Sequence, residues 1–170
     1  MYKRQKIFAV TALFRFLKEA ADYRVLIEGQ KAFAAETGIA YRSIAKSMQD
    51  ATDGQITYKD ASQAAAIGSA AGLNPDQLNR LAASARNVSI ALGRDVTDSF
   101  NRLIRGTTKA EPELLDELGI ILRLEKATKV YAATIGKTAK DLTAYERQQA
   151  VFNEVLSQTE QKYGAIGDAV

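Results

Sequence analysis

Gly136-Lys137-Thr138 is the stretch of this sequence nearest to a chemical device, the end of a phosphate-binding loop in which backbone amides and a lysine cradle phosphate oxygens. The full pattern needs a glycine at position 131, which here is Tyr131, and a strand where this sequence has a helical pattern. Glu111, Glu113, Asp116 and Glu117 form the densest acidic group, and hard cations bind carboxylate oxygens. The loop spacing of a calcium site is absent, however, and acids in the first turn of a helix are what its dipole favours. Glycoside hydrolysis would need two carboxylates facing one bond, and no signal locates such a pair. The chain has 0 His and 0 Cys, so the commonest general base, metal ligand and neutral-pH nucleophile are all missing. The expectation is a protein with no catalytic residue, no metal ligand, no cofactor and no small-molecule substrate.

Charge points the same way. The 23 basic residues are dispersed among 20 acidic ones, and only Lys3, Arg4 and Lys6 form a run. A nucleic-acid surface would concentrate its cations on one face, so dispersed charge predicts solvated helix faces instead. A chain of 170 residues with 46% hydrophobic and 25% charged content is long enough to bury one core without disulfides.

The elements are helical throughout. The N-terminal IFAVTALFRFL is apolar for about eleven residues with Arg15 inside, against the roughly twenty that a membrane span needs. The basic start before it resembles a signal peptide, but no small-residue cleavage site follows cleanly. Ile7, Val10, Phe14, Leu17 and Ala21 step by three and four, a short seam suited to a partner helix or a coiled coil. This helix is expected to continue past Gly29 and stop at Gly38, which sets a first region at 1–37. Tyr41, Ile44, Ala45 and Met48 make a second amphipathic helix that ends at the turn pair Asp53-Gly54. Thr57 with Asp60 opens a third, whose face of Ala61, Ala64, Ala65, Gly68, Ala71 and Gly72 invites close backbone approach.

Asn74, Pro75 and Gln77 supply the start of a long helix. Leu78, Leu81, Ala85, Val88, Leu92, Val96, Phe100 and Leu103 recur on one face, in phase across Gly93, so one continuous or kinked helix is predicted, stopping at Gly106. Pro112 begins a short helix with Leu114, Leu115 and Leu118 inward and Gly119 at its end. A short extended segment is predicted over 119–123. A helix bearing Ala127, Val130, Tyr131 and Ile135 then runs to Gly136. The capping box Thr143-Ala-Tyr-Glu146 opens the last helix, whose face is Val151, Phe152, Val155 and Leu156. Residues 165–170 are expected to fray. The fold class is therefore all-α, an array of six or seven amphipathic helices joined by glycine-marked turns. The residues chosen for the centre of packing or for a partner interface are Phe14, Leu17, Phe100, Leu103, Ile104, Leu114, Leu115 and Leu118.

LGRDVTDSFNRLIRGTTKAEPELLDELGI, then the tyrosine of KVYAATIGK, then LTAYERQQAVFNEVL, taken in that order and spacing, resemble the helical region of tape-measure proteins of long-tailed bacteriophages. The resemblance covers roughly 38–164. It implies a structural protein of the virion tail, made in the bacterial cytoplasm, that lies inside the tail tube, sets tail length and leaves through the tube at infection. It implies self-association and contact with tail-tube and tail-tip proteins as partners, with membrane contact during ejection. A single unbroken helix of this length would reach only roughly 250 Å, and family members are much longer, so a fragment or a truncated prophage copy is expected. Two rival functions follow from the residues. One is a membrane-active helical protein using Ile7 to Leu17 and the Ala/Gly helix in genome ejection, and the other is a basic nucleic-acid-binding bundle. Because folding would need no metal, the far-ultraviolet circular dichroism signal should be strongly helical and unchanged by chelator, whereas a collapse on chelation would contradict this reading.

Overall fold

The computed structural model describes residues 40–169 and, before them, Lys18, Ala21, Asp22, Arg24, Val25, Ile27, Glu28, Gly29, Lys31, Ala32 and Ala35. The chain divides into two units, Met1–Tyr41 and Arg42–Val170. In the first unit the described residues from Lys18 to Ala35 are helical, Ala21 is exposed, and Lys31 pairs with Glu28 at 2.8 Å. Phe14 and Leu17, with the rest of the seam from Ile7 to Leu17 and the stop at Gly38, lie outside the described residues. The protein is mostly helical, and no strand occurs among the described residues.

The second unit begins with α1 (Tyr41–Ala51), which buries Ile44, Ala45 and Met48 as its spacing predicts. It ends where Asp53 and Gly54 turn left-handed. Helix α2 (Tyr58–Ala70) starts at Thr57, whose hydroxyl accepts from the Asp60 amide at 3.1 Å and donates to the Asp60 carboxylate at 2.6 Å. The shorter Asp therefore meets the cap side chain rather than the cap amide. Its two glycines do different work. A Cβ at Gly68 would sit 2.3 Å from Leu78, so that position carries a close helix approach, while Gly72 is the left-handed residue (φ 91°) that ends the helix. The G-x-x-x-G run is thus one packing contact and one cap, and no described helix is long and apolar enough to cross a membrane.

The long helix predicted through Gly93 is two helices, α3 (Pro75–Leu92) and α4 (Val96–Lys109). Gly93 adopts φ 62°, its amide and that of Arg94 both reach the Ser89 carbonyl, and Asp95 restarts the chain by accepting from the Asp98 amide at 2.8 Å. Breaking there lets α4 pack back on α3 and bury both stripes, which a straight helix in a single chain could not do. Leu92, predicted to be on the stripe, is 42% exposed as a result. The stop predicted at Gly106 is also corrected. Helix α4 continues to Lys109 and closes on Ala110, a non-glycine held at φ 52°. Gly106 lies inside the helix, where a Cβ would fall 2.7 Å from both Cγ and Cδ2 of Leu115, so the glycine serves a close approach and not a stop.

Helix α5 (Pro112–Asp116) is a single turn that unwinds into the Gly119 turn (φ 71°), with the Ile120 amide reaching back to Leu115. Of the extended segment predicted over 119–123, Gly119 is a left-handed turn, and 120–123 are irregular, with Ile120 and Leu122 buried and Ile121 and Arg123 exposed. Helix α6 (Leu124–Thr134) presents Ala127 and Ala132 to the interior. Val130 and Ile135 are 54% and 40% exposed, so the face predicted through them is rotated away from the core. A turn of 3-10 helix, Ala139–Asp141, precedes α7 (Ala144–Gly167), which opens with the full Thr143/Glu146 capping box. Helix α7 runs past Gly164 to Gly167, so residues 165–167, expected to fray, are helical instead. It packs against α3, α4 and α6, and its Ala150, Val151, Phe152, Val155 and Leu156 are buried.

Gly106 and Ala110 give a paired prediction. Gly106→Ala should destabilise by about 1–2 kcal/mol, because the Leu115 clash outweighs the gain in helix propensity. Ala110→Gly should stabilise by about 0.5–1 kcal/mol by relieving the left-handed strain. Chemical denaturation of the two variants checks each sign: a stabilising Gly106→Ala would refute the close approach, and a destabilising Ala110→Gly would refute the strain at Ala110.

Candidate functional site

The residues chosen from sequence as a packing centre converge on the α4–α5 junction. Phe100, Leu103, Leu115 and Leu118 are 0% exposed and Ile104 2%, which makes them interior rather than accessible surface. Leu114 is only half-buried, because on a single helical turn it points away from Leu115. The junction is short of backbone partners on its own, since α5 is one turn and 120–123 has no ladder. Side chains of α7 supply them. Gln148 donates to the Thr107 carbonyl at 2.8 Å, Tyr163 donates to the Leu118 carbonyl at 2.9 Å, and Lys162 donates to the Gly119 carbonyl. Gln158 closes a two-way bond with Ile121, accepting from its amide at 2.9 Å and donating to its carbonyl at 2.8 Å. Sequence reasoning missed these four residues. Their spacing along α7 was visible, but nothing in a sequence marks which backbone a glutamine or tyrosine will reach.

A second polar set fixes how α3 lies on α7. Gln77 donates to Gln149 at 2.5 Å, and Gln149 donates to the Gly72 carbonyl at 3.2 Å. Thr159 donates to Ser84 at 3.2 Å, in a buried contact further along the same pair of helices. Since an unpaired buried amide costs about 1–3 kcal/mol, a slip of one turn between these helices is penalised at both points. Arg80 and Glu160 close the edge at 2.8 Å.

Of the acidic group considered for a cation, Glu117 is engaged by two arginines. Among the described residues no cluster of three His, Cys, Asp or Glu side chains could hold a metal ion. Glu117 pairs with Arg102 at 2.8 Å and with Arg94 at 3.5 Å, and Asp98 bridges the same two guanidiniums at 2.9 Å each. The Arg102 guanidinium first, and Arg94 with it, hold the Asp98 carboxyl below its ordinary range despite the opposing effect of burial. Lys137, the candidate phosphate-loop lysine, pairs with Glu146 at 2.5 Å, and Thr138 donates to Asp141 at 2.7 Å. Those residues build the start of α7, with helix α6 rather than a strand before them. An open groove of about 480 Å³ between α6 and α7 carries Glu125 and Arg147, but Arg147 donates to the carbonyls of Leu142 and Lys140. Each described carboxylate whose titration is displaced, Asp98, Glu125 and Glu146, is displaced downward, which favours the charged form.

The Asp98 bridge should be read out by acid. A carboxyl whose pKa is lowered on folding stabilises the protein above its unfolded pKa, and that contribution is lost as pH falls through the folded value. Asp98→Asn should therefore cost under about 1 kcal/mol at neutral pH, a modest figure because the pair is partly exposed. The gap from wild type should close between about pH 5 and pH 2. Thermal melts across that range decide it, and a gap independent of pH would mean that the arginines do not depend on the charge.

No protein-family model and no solved structure matches the chain.

Proposed function

We propose that the region 38–164, of which 42–164 lie in one compact unit, is part of a phage tail tape-measure protein, acting in tail assembly and length determination by packing within the tail and by association with other tail proteins. The observation that carries this reading is the order and spacing of the three blocks that resemble the family. In support, the first and last blocks meet in one core. The first supplies Phe100, Leu103, Gly106 and Leu115, and the last supplies Gln148, Phe152 and Leu156, with Gln148 bonded directly to Thr107. Such a module contributes shape and contacts rather than reactive groups. Its end-to-end distance does not scale with its residue count, because the chain turns back at Gly93, Gly119 and Gly136.

The test is an in-frame deletion of Ala110 to Ile135 in a phage carrying this gene, followed by electron microscopy of many tails. Removing that stretch strips Leu115, Leu118 and Ala127 from the core and exposes Phe100, so tails should fail to assemble or become irregular in length. If the segment were extended helical ruler, tails would instead be uniformly shorter by roughly 40 Å at about 1.5 Å per residue. Normal tails of unchanged length and infectivity would overturn the tail-assembly reading altogether.

A further inference from the structure

The apolar stripes of α3 and α4 belong to one helical face. Turning about 100° per residue from Leu78, the buried Leu81, Ala85, Val88, Val96, Phe100 and Leu103 all fall within about 80° of it. Two helices separated by a left-handed break have no need to keep phase, since each could present its apolar face at any rotation. Leu92 sits on this shared stripe and is 42% exposed in the folded chain. The connection is only Gly93-Arg94-Asp95, and a Cβ at Gly93 would meet nothing within 4 Å. Contacts that cross this connection hold the unit together: α3 on α4 and α7, α2 on α4, and the bonds Gln77–Gln149, Ser84–Thr159 and Arg80–Glu160. A second copy of the chain offers the same surfaces.

We propose that Gly93 is the hinge of a domain-swapped dimer, in which α3 and α4 straighten into one helix and α1–α3 of each copy pack on α4–α7 of the other. The joined helix, Pro75–Lys109, would be about 50 Å long. Every buried contact is remade between copies, so the exchange loses no burial, and the balance is set at the hinge. There a left-handed glycine becomes helical, and Leu92 joins an unbroken stripe. Asp98 keeps both arginines, because Arg94 and Arg102 lie four residues to either side of it on a helix. What the closed form holds in return is the pair of Arg94 bonds to Glu117, to its carbonyl at 3.2 Å and its carboxylate at 3.5 Å, which latch the hinge shut. This inference rests on the fold alone and stands whether or not the chain is a tail protein.

Gly93→Ala tests it in the full-length chain. Alanine disfavours the left-handed turn and favours the helix, so the ratio of open to closed chains should rise at least about tenfold. Gly93→Asn retains a residue that tolerates the left-handed turn and should stay monomeric. The chain has 0 Cys, so cysteines placed at the exposed Asp76 and Arg105 can carry spin labels, diluted into unlabelled protein to report distances within one chain. Light scattering should show a dimer for Gly93→Ala, with labels about 43 Å apart along one helix, whereas the Gly93→Asn monomer keeps the shorter hairpin distance. A Gly93→Ala monomer at the hairpin distance would overturn the proposal, as would a dimer retaining that distance, which is ordinary surface association. Should Gly93→Ala fail to fold, wild-type protein refolded at high concentration is read in the same way, and absence of a long-distance dimer overturns the hinge.

Discussion

Burial of one face of α7 against α3 and α4 is the interaction on which the rest of the second unit depends. Phe152, Val155 and Leu156 are nearly or fully inaccessible, and each such side chain contributes about 1.5–3 kcal/mol when withdrawn from water. That apolar contact alone would tolerate sliding, because one methyl group resembles the next. Gln77, Gln149, Ser84 and Thr159 remove the freedom, since their bonds form in one register only. With α7 so placed, Gln158, Lys162 and Tyr163 come to face the 118–121 turn and complete backbone groups that a one-turn helix cannot satisfy for itself.

Glycine sets the spacing within this arrangement in two distinct ways. At Gly68 and Gly106 the absence of a Cβ brings Leu78 and Leu115 against a helix backbone, so the cost of any side chain there is steric. At Gly93 and Gly136 the backbone is left-handed and a Cβ would meet nothing within 4 Å, so the cost is conformational. Ala110 occupies the same left-handed region without that freedom. The chain accepts the strain there because Pro112 must begin a new helix two residues later, and the residue before a proline is itself held out of the helical region.

Two groups of charges hold turns. The Arg94, Asp98, Arg102 and Glu117 group spans the Gly93 break and the end of α5, and the Lys137–Glu146 pair spans the approach to α7. In both, the lowered carboxyl titration reflects a nearby cation rather than an environment poised for proton transfer. Among the apolar residues left exposed, Leu92 is the one on the stripe shared by α3 and α4.

The sequence by itself determined the helical class, the starts at Thr57, Asn74 and Thr143, the turns at Gly54, Gly119 and Gly136, and the buried faces of α1 and α7. Caps and periodic faces are local, requiring residues only three or four apart, so they are legible without knowing what lies opposite. The packing residues Phe100, Leu103, Ile104, Leu115 and Leu118 were legible for the same reason. Only the tertiary structure decided between a helix and a break at Gly93, and between a stop and a contact at Gly106. A glycine near the end of an apolar stripe has the same local energetics in both cases, and what resolves it is whether α3 can be covered by α4 and whether Leu115 arrives against the helix. It likewise turned Val130 and Ile135 outward, where α6 packs on α7 and buries Ala127 and Ala132 instead. The signal for the Gly93 break was present in Asp95 and Asp98, three residues apart just after it. A stripe running in phase through that position outweighed it, until the gain from folding the two halves onto one another was counted.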